Sequence, residues 1–117
     1  MLIKTNHVRV AGSVATAVAR ARAECSHTLR IEVEVRDLGE LREAIASGAD
    51  ICMLDNMTIA AMAEAVEVTA KSCLLEASGG VRLESVRAIA ETGVDFISVG
   101  ALTHSAPAAD IAFEIAS

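Results

Sequence analysis

The stretch IEVEVRDLGELREAIASGADICMLDN, residues 31–56, decides the fold of this chain. It opens with alternating aliphatic and acidic residues, the period-two pattern of a strand that is covered on one face. Asp37 and Glu40 then stand three positions apart, as in the capping box of a helix, and Gly48 is placed to end that helix. A second apolar strand follows at once. Two strands joined by a helix in so short a stretch predict a parallel pair with a crossover connection.

Similar strand and helix units fill the chain on both sides of this stretch. Ser13 is placed to cap a helix that begins at Val14, and Thr58 to cap another. Pro107 suits the first turn of a closing helix that we expect to reach Ala116. After a short remnant at 2–3, the predicted strands are residues 29–35, 50–54, 72–77 and 94–99. About five βα units therefore predict an α/β fold with a parallel sheet.

An internal repeat supports this arrangement. Residues 41–50 match residues 86–95, and both copies run from a helix through a Gly-x-Asp turn into a strand. The match breaks where Asp55 of the first copy is replaced by Gly100 of the second. Both positions lie at the carboxyl end of a predicted strand, where parallel α/β folds bind ligands. We therefore expect the two positions to serve a site in different ways.

Composition limits the classes of function. The chain has 117 residues, enough for one domain, and 53% of them are hydrophobic, which excludes intrinsic disorder. The net charge is −6, and only Phe96 and Phe113 are aromatic, so we expect no nucleic-acid partner. No apolar run is long enough to cross a bilayer, and no leader is recognisable. We therefore expect no membrane association and a cytoplasmic location.

The cysteines point to a reducing compartment. Cys25, Cys52 and Cys73 are odd in number and widely spaced, and two of them lie in apolar runs. Small buried thiols are ordinary in such runs. The pattern predicts neither a disulfide framework nor a zinc site.

Polar residues at the carboxyl ends of the predicted strands are the candidates for a site. Lys4 follows the first strand, Glu32 and Glu34 share one face of the second, and Asp55 comes at the end of the third. The later strands end with Glu76 and the turn Ser78-Gly79-Gly80, and with Ser98 and Gly100. A diglycine turn before a helix lets backbone N–H groups approach an anion. The acids lie opposite the aliphatic face and are costly to bury without a cation, a metal or ligand hydroxyls.

Each candidate also has an ordinary structural interpretation. Glu32 could pair with Arg30 or another base on a solvated edge, and Asp55 with Asn56 could merely cap the next helix. The diglycine turn could meet only a conformational need, and Lys4 could be a solvated terminal charge. No histidine pair has helical spacing and Gly-x-Ser-x-Gly is absent from the sequence, so neither a zinc site nor a Ser-His-Asp triad is predicted.

Five segments, in order, resemble the quinolinate phosphoribosyltransferase family, the carboxylating nicotinate-nucleotide pyrophosphorylases. They are LIKTNH (2–7), IEVEV (31–35), GADICMLDNM (48–57), LEASGG (75–80) and ISVGALTHS (97–105). Each is short, but their order over essentially the whole chain makes the resemblance specific. It implies that residues 1–117 are the C-terminal part of that family's TIM-like α/β barrel, with the N-terminal sandwich domain and the opening barrel units absent. Such a part would be an open half-barrel, or a flavodoxin-like sheet if rearranged.

The resemblance also implies an activity. The family transfers a phosphoribosyl group, converting quinolinate and phosphoribosyl pyrophosphate into nicotinate mononucleotide, pyrophosphate and carbon dioxide in de novo NAD synthesis. It uses Mg²⁺ and forms a homodimer or higher oligomer. The family's Thr-Arg-Lys-Thr and His-Arg segments, and an arginine from the neighbouring subunit, supply most of the positive charge and lie outside this chain. We therefore expect this chain to be inactive alone, and to self-associate or to pair with a missing half.

The matching motifs imply roles for individual residues, none of them firmly catalytic. Lys4 resembles the lysine that contacts the quinolinate carboxylates, although Thr5 departs from the acidic residue usual beside it. Glu34 and Asp55 resemble the acids that face the ribose hydroxyls and the magnesium-bound pyrophosphate. The loops that hold the 5′-phosphate are matched by Ser78, Gly79, Gly80, Gly100 and Ala101, with His104 in the same motif. The competing hypothesis is a stand-alone flavodoxin-like module that binds a phosphate compound or a protein partner without enzymatic activity.

Overall fold

The computed structural model describes residues 1–115 as one five-stranded parallel sheet with the strand order β1-β2-β3-β4-β5. The strands are β1 (Leu2–Ile3), β2 (Glu32–Val35), β3 (Ile51–Asp55), β4 (Leu74–Ser78) and β5 (Phe96–Ile97). The helices are α1 (Thr5–Ala11), α2 (Val14–Glu24), α3 (Leu38–Ala46), α4 (Ile59–Thr69), α5 (Leu83–Glu91) and α6 (Ala101–His104). Sequential order with intervening helices is that of consecutive units of a TIM-like α/β barrel.

The flavodoxin-like alternative is wrong for this sheet. In that fold the first strand lies inside the sheet, between the second and the third. Here β1 pairs with β2 alone and forms one edge, and β5 pairs with β4 alone and forms the other. The α/β fold with about five parallel units is confirmed, as an open segment of a barrel.

The core lies between the sheet and one layer of helices. In β2, Val33 and Val35 are buried while Glu32 and Glu34 are half-buried, which is the alternation that the sequence predicts. The buried side chains of β2, β3 and β4 pack with those of the helices, including Val18, Leu41, Met62 and Ile89. The acids therefore lie on the opposite face of the sheet, which faces the interior in a closed barrel.

The helix caps place the ends of the helices as the sequence predicts. The side chains of Ser13, Asp37 and Thr58 each accept a hydrogen bond from the backbone N–H three residues further on, at 3.0, 2.9 and 3.2 Å. Gly48 follows α3 with a φ of 81°, in the left-handed region that glycine adopts freely. These contacts fix the residues at which α2, α3 and α4 begin.

The repeated Gly-x-Asp turn has one structural cause in both copies. The carboxylate of Asp50 accepts a hydrogen bond from the backbone N–H of Ile31 at 2.6 Å, and that of Asp95 accepts one from Leu75 at 2.8 Å. Each aspartate thus stands just before one strand and binds the start of the preceding one. The repeat therefore fixes the register of β2 with β3 and of β4 with β5.

Three expectations from the sequence were wrong. Helix α1 is additional, and it ends at Gly12, whose φ is 95°. The last strand is reduced to Phe96–Ile97, because only β4 supports it. The closing helix does not form within residues 105–115, where Ile111 and Phe113 are 85% and 88% exposed and have no surface to pack against. Its expected end at Ala116 lies outside the described residues.

Within residues 1–115, the longest helices have 11 residues, and none is both long and apolar enough to span a bilayer.

Candidate functional site

The carboxyl ends of the strands bring the candidate residues to one edge of the sheet, here called the rim. Lys4 follows β1, Glu34 lies in β2, and Asp55 ends β3 directly beside Ser78, its partner in the register of β4. The chain continues from Ser78 into the diglycine turn, Ser78–Gly80. The common rim expected from the alternation of strands and helices is therefore present.

Six of the nine residues to which the family resemblance gives a role line one pocket of about 520 Å³, the β4–β5 pocket. These are Ser78, Gly79, Gly80, Gly100, Ala101 and His104, and the further lining residues are Val81, Arg82, Ser98 and Ser105. The backbone N–H groups at the start of α5 open toward this end of the sheet, because α5 begins directly after the turn. A helix start of this kind, behind a glycine turn, favours an anion.

The diglycine turn is shaped by contact with the loop after β3. Gly79 has a φ of 87° and Gly80 a φ of 61°, both in the left-handed region. A Cβ atom on Gly79 would lie only 2.5 Å from the side chain of Asn56. The same Asn56 donates from Nδ2 to Asp55 Oδ1 at 2.9 Å. Asn56 therefore connects the Asp55 carboxylate to the turn that lines the β4–β5 pocket.

Gly100 makes room for a side chain and is not required by the backbone. Its φ is −60°, which any residue adopts. A Cβ atom there would lie 3.0 Å from His104 Nε2. The imidazole therefore folds back over Gly100, and its Nδ1 is 2.7 Å from Ser105 Oγ. Where the first copy of the repeat has Asp55, the second has Gly100. The missing side chain leaves space in the pocket for the imidazole of His104.

Two carboxylates face each other across β2 and β3. Burial, and then the neighbouring charge of Glu34, raise the pKa of Asp55 above its ordinary value. Glu34 Oε2 accepts a hydrogen bond from the backbone N–H of Thr5 at 3.0 Å. That contact uses the backbone of Thr5, so the departure from an acidic residue at this position leaves it intact. The two carboxylates form no ion pair among residues 1–115, and Arg36, which lines the pocket beside Glu34, is paired with Glu40.

A second acidic pair lies deeper on the same face. Burial, and then the charge of Glu76, raise the pKa of Glu32. Ser98 Oγ donates to Glu76 Oε1 at 2.5 Å, while Oε1 of Glu32 is buried without a hydrogen-bond partner among the described residues. The alternative in which Glu32 pairs with Arg30 is wrong in this structure, where the ion pairs found among residues 1–115 join other side chains.

Lys4 and Glu34 also mark the first strands' side of the rim. Lys4 is exposed, and its backbone N–H donates to His7 Nδ1 at 2.9 Å at the start of α1. Glu34 lines a separate pocket of about 310 Å³ whose other residues include Thr5, Arg9 and Arg36. By the register of β1 with β2, Lys4 lies at the level of Glu34. Their side chains form no ion pair within the described part of the chain.

Two residues contribute to the site although the sequence analysis did not name them as candidates. Arg82 is exposed in the β4–β5 pocket, and its guanidinium forms no ion pair among residues 1–115. A basic residue two positions after a diglycine turn is a sequence feature that could have indicated it. Asn56 connects Asp55 with Gly79, whereas Thr58 alone supplies the cap of α4. The φ of Asn56 is 54°, which is unusual outside glycine and is visible only in the structure.

Comparison with known proteins agrees with this geometry. The family model described as quinolinate phosphoribosyl transferase, C-terminal domain, matches residues 1–114. The chain belongs to this family. It is 42% identical over 115 residues to a probable nicotinate-nucleotide pyrophosphorylase (carboxylating) of Bacillus subtilis, and the match covers 98% of this chain and 40% of that protein.

Matches to two further members of the family cover similar shares of both chains. The nicotinate-nucleotide pyrophosphorylase (carboxylating) of Rattus norvegicus is 37% identical over 118 residues, which is 98% of this chain and 40% of the rat protein. The structure of the nicotinate-nucleotide pyrophosphorylase from Francisella tularensis superimposes with a TM-score of 0.82 at 49% identity, covering 87% of this chain and 36% of that one. The chain therefore spans about 40% of the length of the curated relatives that it matches.

The donor set at the rim fits Mg²⁺, the ion that the family resemblance implies. Glu34 and Asp55 are adjacent carboxylates; burial, and then the charge of Glu34, raise the pKa of Asp55, and a cation between them would favour the ionised form. No group of three or more His, Cys, Asp or Glu residues in the described part of the chain is placed to hold a metal. Mg²⁺ is commonly bound by one or two carboxylates together with water and substrate phosphates. The two acids fit that mode.

Proposed function

We propose that this chain supplies the phosphate- and ribose-holding part of a quinolinate phosphoribosyltransferase. The proposed reaction converts quinolinate and phosphoribosyl pyrophosphate into nicotinate mononucleotide, carbon dioxide and pyrophosphate, in de novo NAD synthesis. The observation that carries the proposal is the β4–β5 pocket, which unites the diglycine turn with Gly100 and His104 next to Asp55 at the rim. Family membership over residues 1–114 supports the same assignment.

The β4–β5 pocket is suited to the 5′-phosphate. Backbone N–H groups at the diglycine turn and at the start of α5 could donate hydrogen bonds to it, because the two glycines carry no side chain of their own. Arg82 adds a cation on one side of the pocket and His104 an imidazole on the other. Ser78 supplies a short hydroxyl at the floor. A phosphate monoester held here would place its ribose toward Asp55, which neighbours Ser78 in the sheet.

The carboxylates are suited to the ribose. Asp55 and Glu34 accept hydrogen bonds from hydroxyl groups, and Asn56 holds Asp55 through its Nδ2 group. When the bond from C1 of the ribose to pyrophosphate breaks, positive charge develops on the sugar, and fixed negative charge nearby stabilises that transition state. Lys4 lies on the other side of Glu34, where its ammonium could meet a quinolinate carboxylate.

We also propose Mg²⁺ as the cofactor. Glu34 and Asp55 are the residues that would hold it, directly or through water. When bound, the ion neutralises negative charge on the pyrophosphate. This chain's own contribution is to keep the two carboxylates adjacent at the rim.

We infer that this chain alone does not complete the reaction. Quinolinate and phosphoribosyl pyrophosphate are both polyanions, whereas the interior face of the sheet carries Glu32, Glu34, Asp55 and Glu76. Lys4 and Arg82 lie at the rim, Arg9 and Arg36 line the pocket of Glu34, and Arg36 is already paired with Glu40. The remaining positive charge would come from a second copy of the chain or from a separate polypeptide that completes the barrel. The free thiols of the described residues fit a reducing compartment, and we infer the cytoplasm.

Calorimetric titration of the chain with nicotinate mononucleotide tests the proposal. We expect binding of the mononucleotide in the presence of Mg²⁺, with nicotinate riboside at least tenfold weaker because it lacks the phosphate. Asp55→Ala should weaken the mononucleotide at least tenfold. Asp110→Ala is the matched control, because Asp110 is an exposed acid in the segment after α6 and should leave the affinity unchanged. Equal affinity for riboside and mononucleotide would contradict the phosphate assignment.

Activity is measured separately. Carbon dioxide release from quinolinate and phosphoribosyl pyrophosphate should be undetectable with this chain alone and should appear when a polypeptide carrying the rest of a relative's barrel and N-terminal domain is added. Turnover by the chain alone would contradict the inference of inactivity while leaving the site assignment in place. Binding without turnover in the mixed sample would argue for a ligand-binding module and against the enzymatic proposal.

A further inference from the structure

Two of the three cysteines form a thiol pair that the candidate site does not use. Cys52 lies in β3 and Cys73 directly precedes β4, and their Sγ atoms are 3.6 Å apart. Both lie on the helix-covered face with Leu54 and Leu75, opposite the acids of the rim. The third cysteine, Cys25, caps the far end of α2 and takes no part in this contact.

The two thiols differ in access. Cys52 is fully buried, whereas Cys73 is 9% exposed. Cys73 follows the short turn after α4, in which Ala70 and Lys71 both adopt left-handed conformations, with φ of 46° and 64°. Such a turn, unlike the middle of a strand, can shift without breaking the ladder of the sheet. A small oxidant can therefore reach Cys73 first, and Cys73 can then move toward Cys52.

The electrostatics of the pair favour the same order. The contact with Cys52 lowers the pKa of the Cys73 thiol against the opposing effect of burial. The same contact and burial raise the pKa of Cys52. The thiolate is the nucleophile toward peroxides and forms more readily where its pKa is lowered. Because Cys73 is the more exposed thiol and follows a turn that can shift, it is the residue to be oxidised, and Cys52 is the residue that resolves it.

We propose that Cys52 and Cys73 are a reversible redox pair that closes to an intrachain disulfide in the presence of a hydroperoxide. The Cys73 thiolate attacks the outer peroxide oxygen, the O–O bond breaks, and the departing alkoxide or hydroxide takes up a proton. Cys73 is then a sulfenic acid. Cys52 attacks the Cys73 sulfur, the S–S bond forms, and the Cys73 hydroxyl leaves with the Cys52 proton as water. Overall, two thiols are oxidised by two electrons and one hydroperoxide is reduced to an alcohol and water.

The closed pair would tie the middle of the sheet to the turn after α4. An S–S bond is about 2.0 Å long, so the sulfurs must approach from their present 3.6 Å, and the turn before Cys73 supplies that movement. A dithiol reductant reverses the bond by thiol–disulfide exchange. The device does not depend on the proposed phosphoribosyl transfer, because the pair lies on the other face of the sheet from the rim.

Peptide mapping after treatment with hydrogen peroxide tests the proposal on the unaltered chain. Trypsin cleaves after Arg22, Arg30, Arg42, Lys71 and Arg82, so the three cysteines fall in separate peptides, 23–30, 43–71 and 72–82. We expect peptides 43–71 and 72–82 to be joined, with a mass two hydrogens below their sum, and the link to vanish with dithiothreitol. Thiols titrated in denaturant should fall from three to one.

Two variants sharpen the result. Cys25→Ser should lose both of its remaining thiols on oxidation, because the pair is intact. Cys73→Ser should keep both of its thiols and form no intrachain link. Three titratable thiols after peroxide treatment of the folded chain would overturn the proposal, and so would a link that joins Cys25 to either partner or two chains to each other. Mapping needs no variant, so a variant that fails to fold does not weaken the test.

Discussion

The side chain of Asn56 occupies the space that a Cβ atom on Gly79 would need, 2.5 Å from where that atom would stand. The contact joins the loop after β3 to the turn after β4, and through the Nδ2 group of Asn56 it reaches the Asp55 carboxylate. Two parts of the candidate site, the acid and the glycine turn, are therefore held in position by one amide. Position 79 therefore favours glycine for two reasons: Asn56 occupies the space of a side chain, and the backbone is left-handed.

Gly79→Ala should destabilise the fold and weaken phosphate binding together. A methyl group at a φ of 87° costs about 1–2 kcal/mol, and overpacking against Asn56 costs about 1–3 kcal/mol more. We expect urea unfolding to show a loss of about 2–4 kcal/mol. In the Asn56→Gly background the steric part should disappear, leaving only the backbone cost. Equal effects of Gly79→Ala in both backgrounds would show that the two residues are not coupled.

Asp50, the aspartate in the first copy of the repeat, should make the fold sensitive to acid. Burial tends to raise the pKa of Asp50, but the hydrogen bond from Ile31 and the Arg22 guanidinium outweigh it, so the pKa is lowered. A lowered carboxyl pKa gives stability that is present above the unfolded value and is lost as pH falls through the folded one. Asp50→Asn should therefore cost about 1 kcal/mol at pH 7.

The difference between Asp50→Asn and the unaltered chain should vanish at a pH below the folded pKa of Asp50, since both carry a neutral side chain there. Urea unfolding at a series of pH values measures it. Asp110→Asn, in the exposed segment after α6, is the control and should unfold like the parent at every pH. A pH-independent loss in Asp50→Asn would indicate that shape, and not charge, holds the turn.

The sequence predicted those features that depend on neighbours in the chain. The alternation in residues 31–35 put Val33 and Glu34 on opposite faces, and the caps at Ser13 and Thr58 followed from residue type and spacing. The rim could also be predicted, because the carboxyl ends of parallel strands meet at one edge whatever the details of packing. Local pattern and topology together were sufficient for both.

The remaining features depend on contacts between distant residues. The partnership of Asn56 with Gly79, of Glu32 with Glu76 and of the two buried thiols joins neighbouring strands, and a single sequence carries no sign of which side chains meet there. The expected closing helix failed for a related reason. Its propensity was adequate, but a helix of that length needs a surface against which to pack.

Asp55→Asn should stabilise the chain while weakening the binding of its ligand. Burial and the charge of Glu34 raise the pKa of Asp55, so its ionised form lowers the stability of the fold. That penalty is fully present above the raised pKa and disappears as pH falls below the unfolded value. At pH 7 the variant should be more stable by about 0.5 kcal/mol, and at acidic pH the two should converge. Lower stability at pH 7 would show that the carboxylate accepts bonds worth more than its repulsion.

Arg82→Gln should weaken the binding of phosphate compounds in the β4–β5 pocket. Arg82 is the cation that the described residues bring to this pocket, and a charge-assisted contact to phosphate is worth about 1.5–3 kcal/mol. We expect nicotinate mononucleotide to bind at least tenfold more weakly by calorimetry, with a shallower dependence on salt. Arg87→Gln, on α5 but outside the pocket, is the matched control. Equal losses in both variants would point to net charge and not to a contact.

The open edges of the sheet should make the chain associate with itself. Strands β1 and β5 each have one unpaired side, and such edges are templates for pairing with another chain. The segment after α6 adds apolar side chains that are more than four-fifths exposed, namely Ile111, Phe113 and Ile115. Sedimentation velocity should therefore show dimers or larger species whose fraction grows with concentration. Phe113→Asp should shift that equilibrium toward the monomer, whereas Leu83→Asp, which removes an isolated exposed side chain from α5, should leave it unchanged. A monomer at all concentrations would mean that the edges are protected by their short length alone.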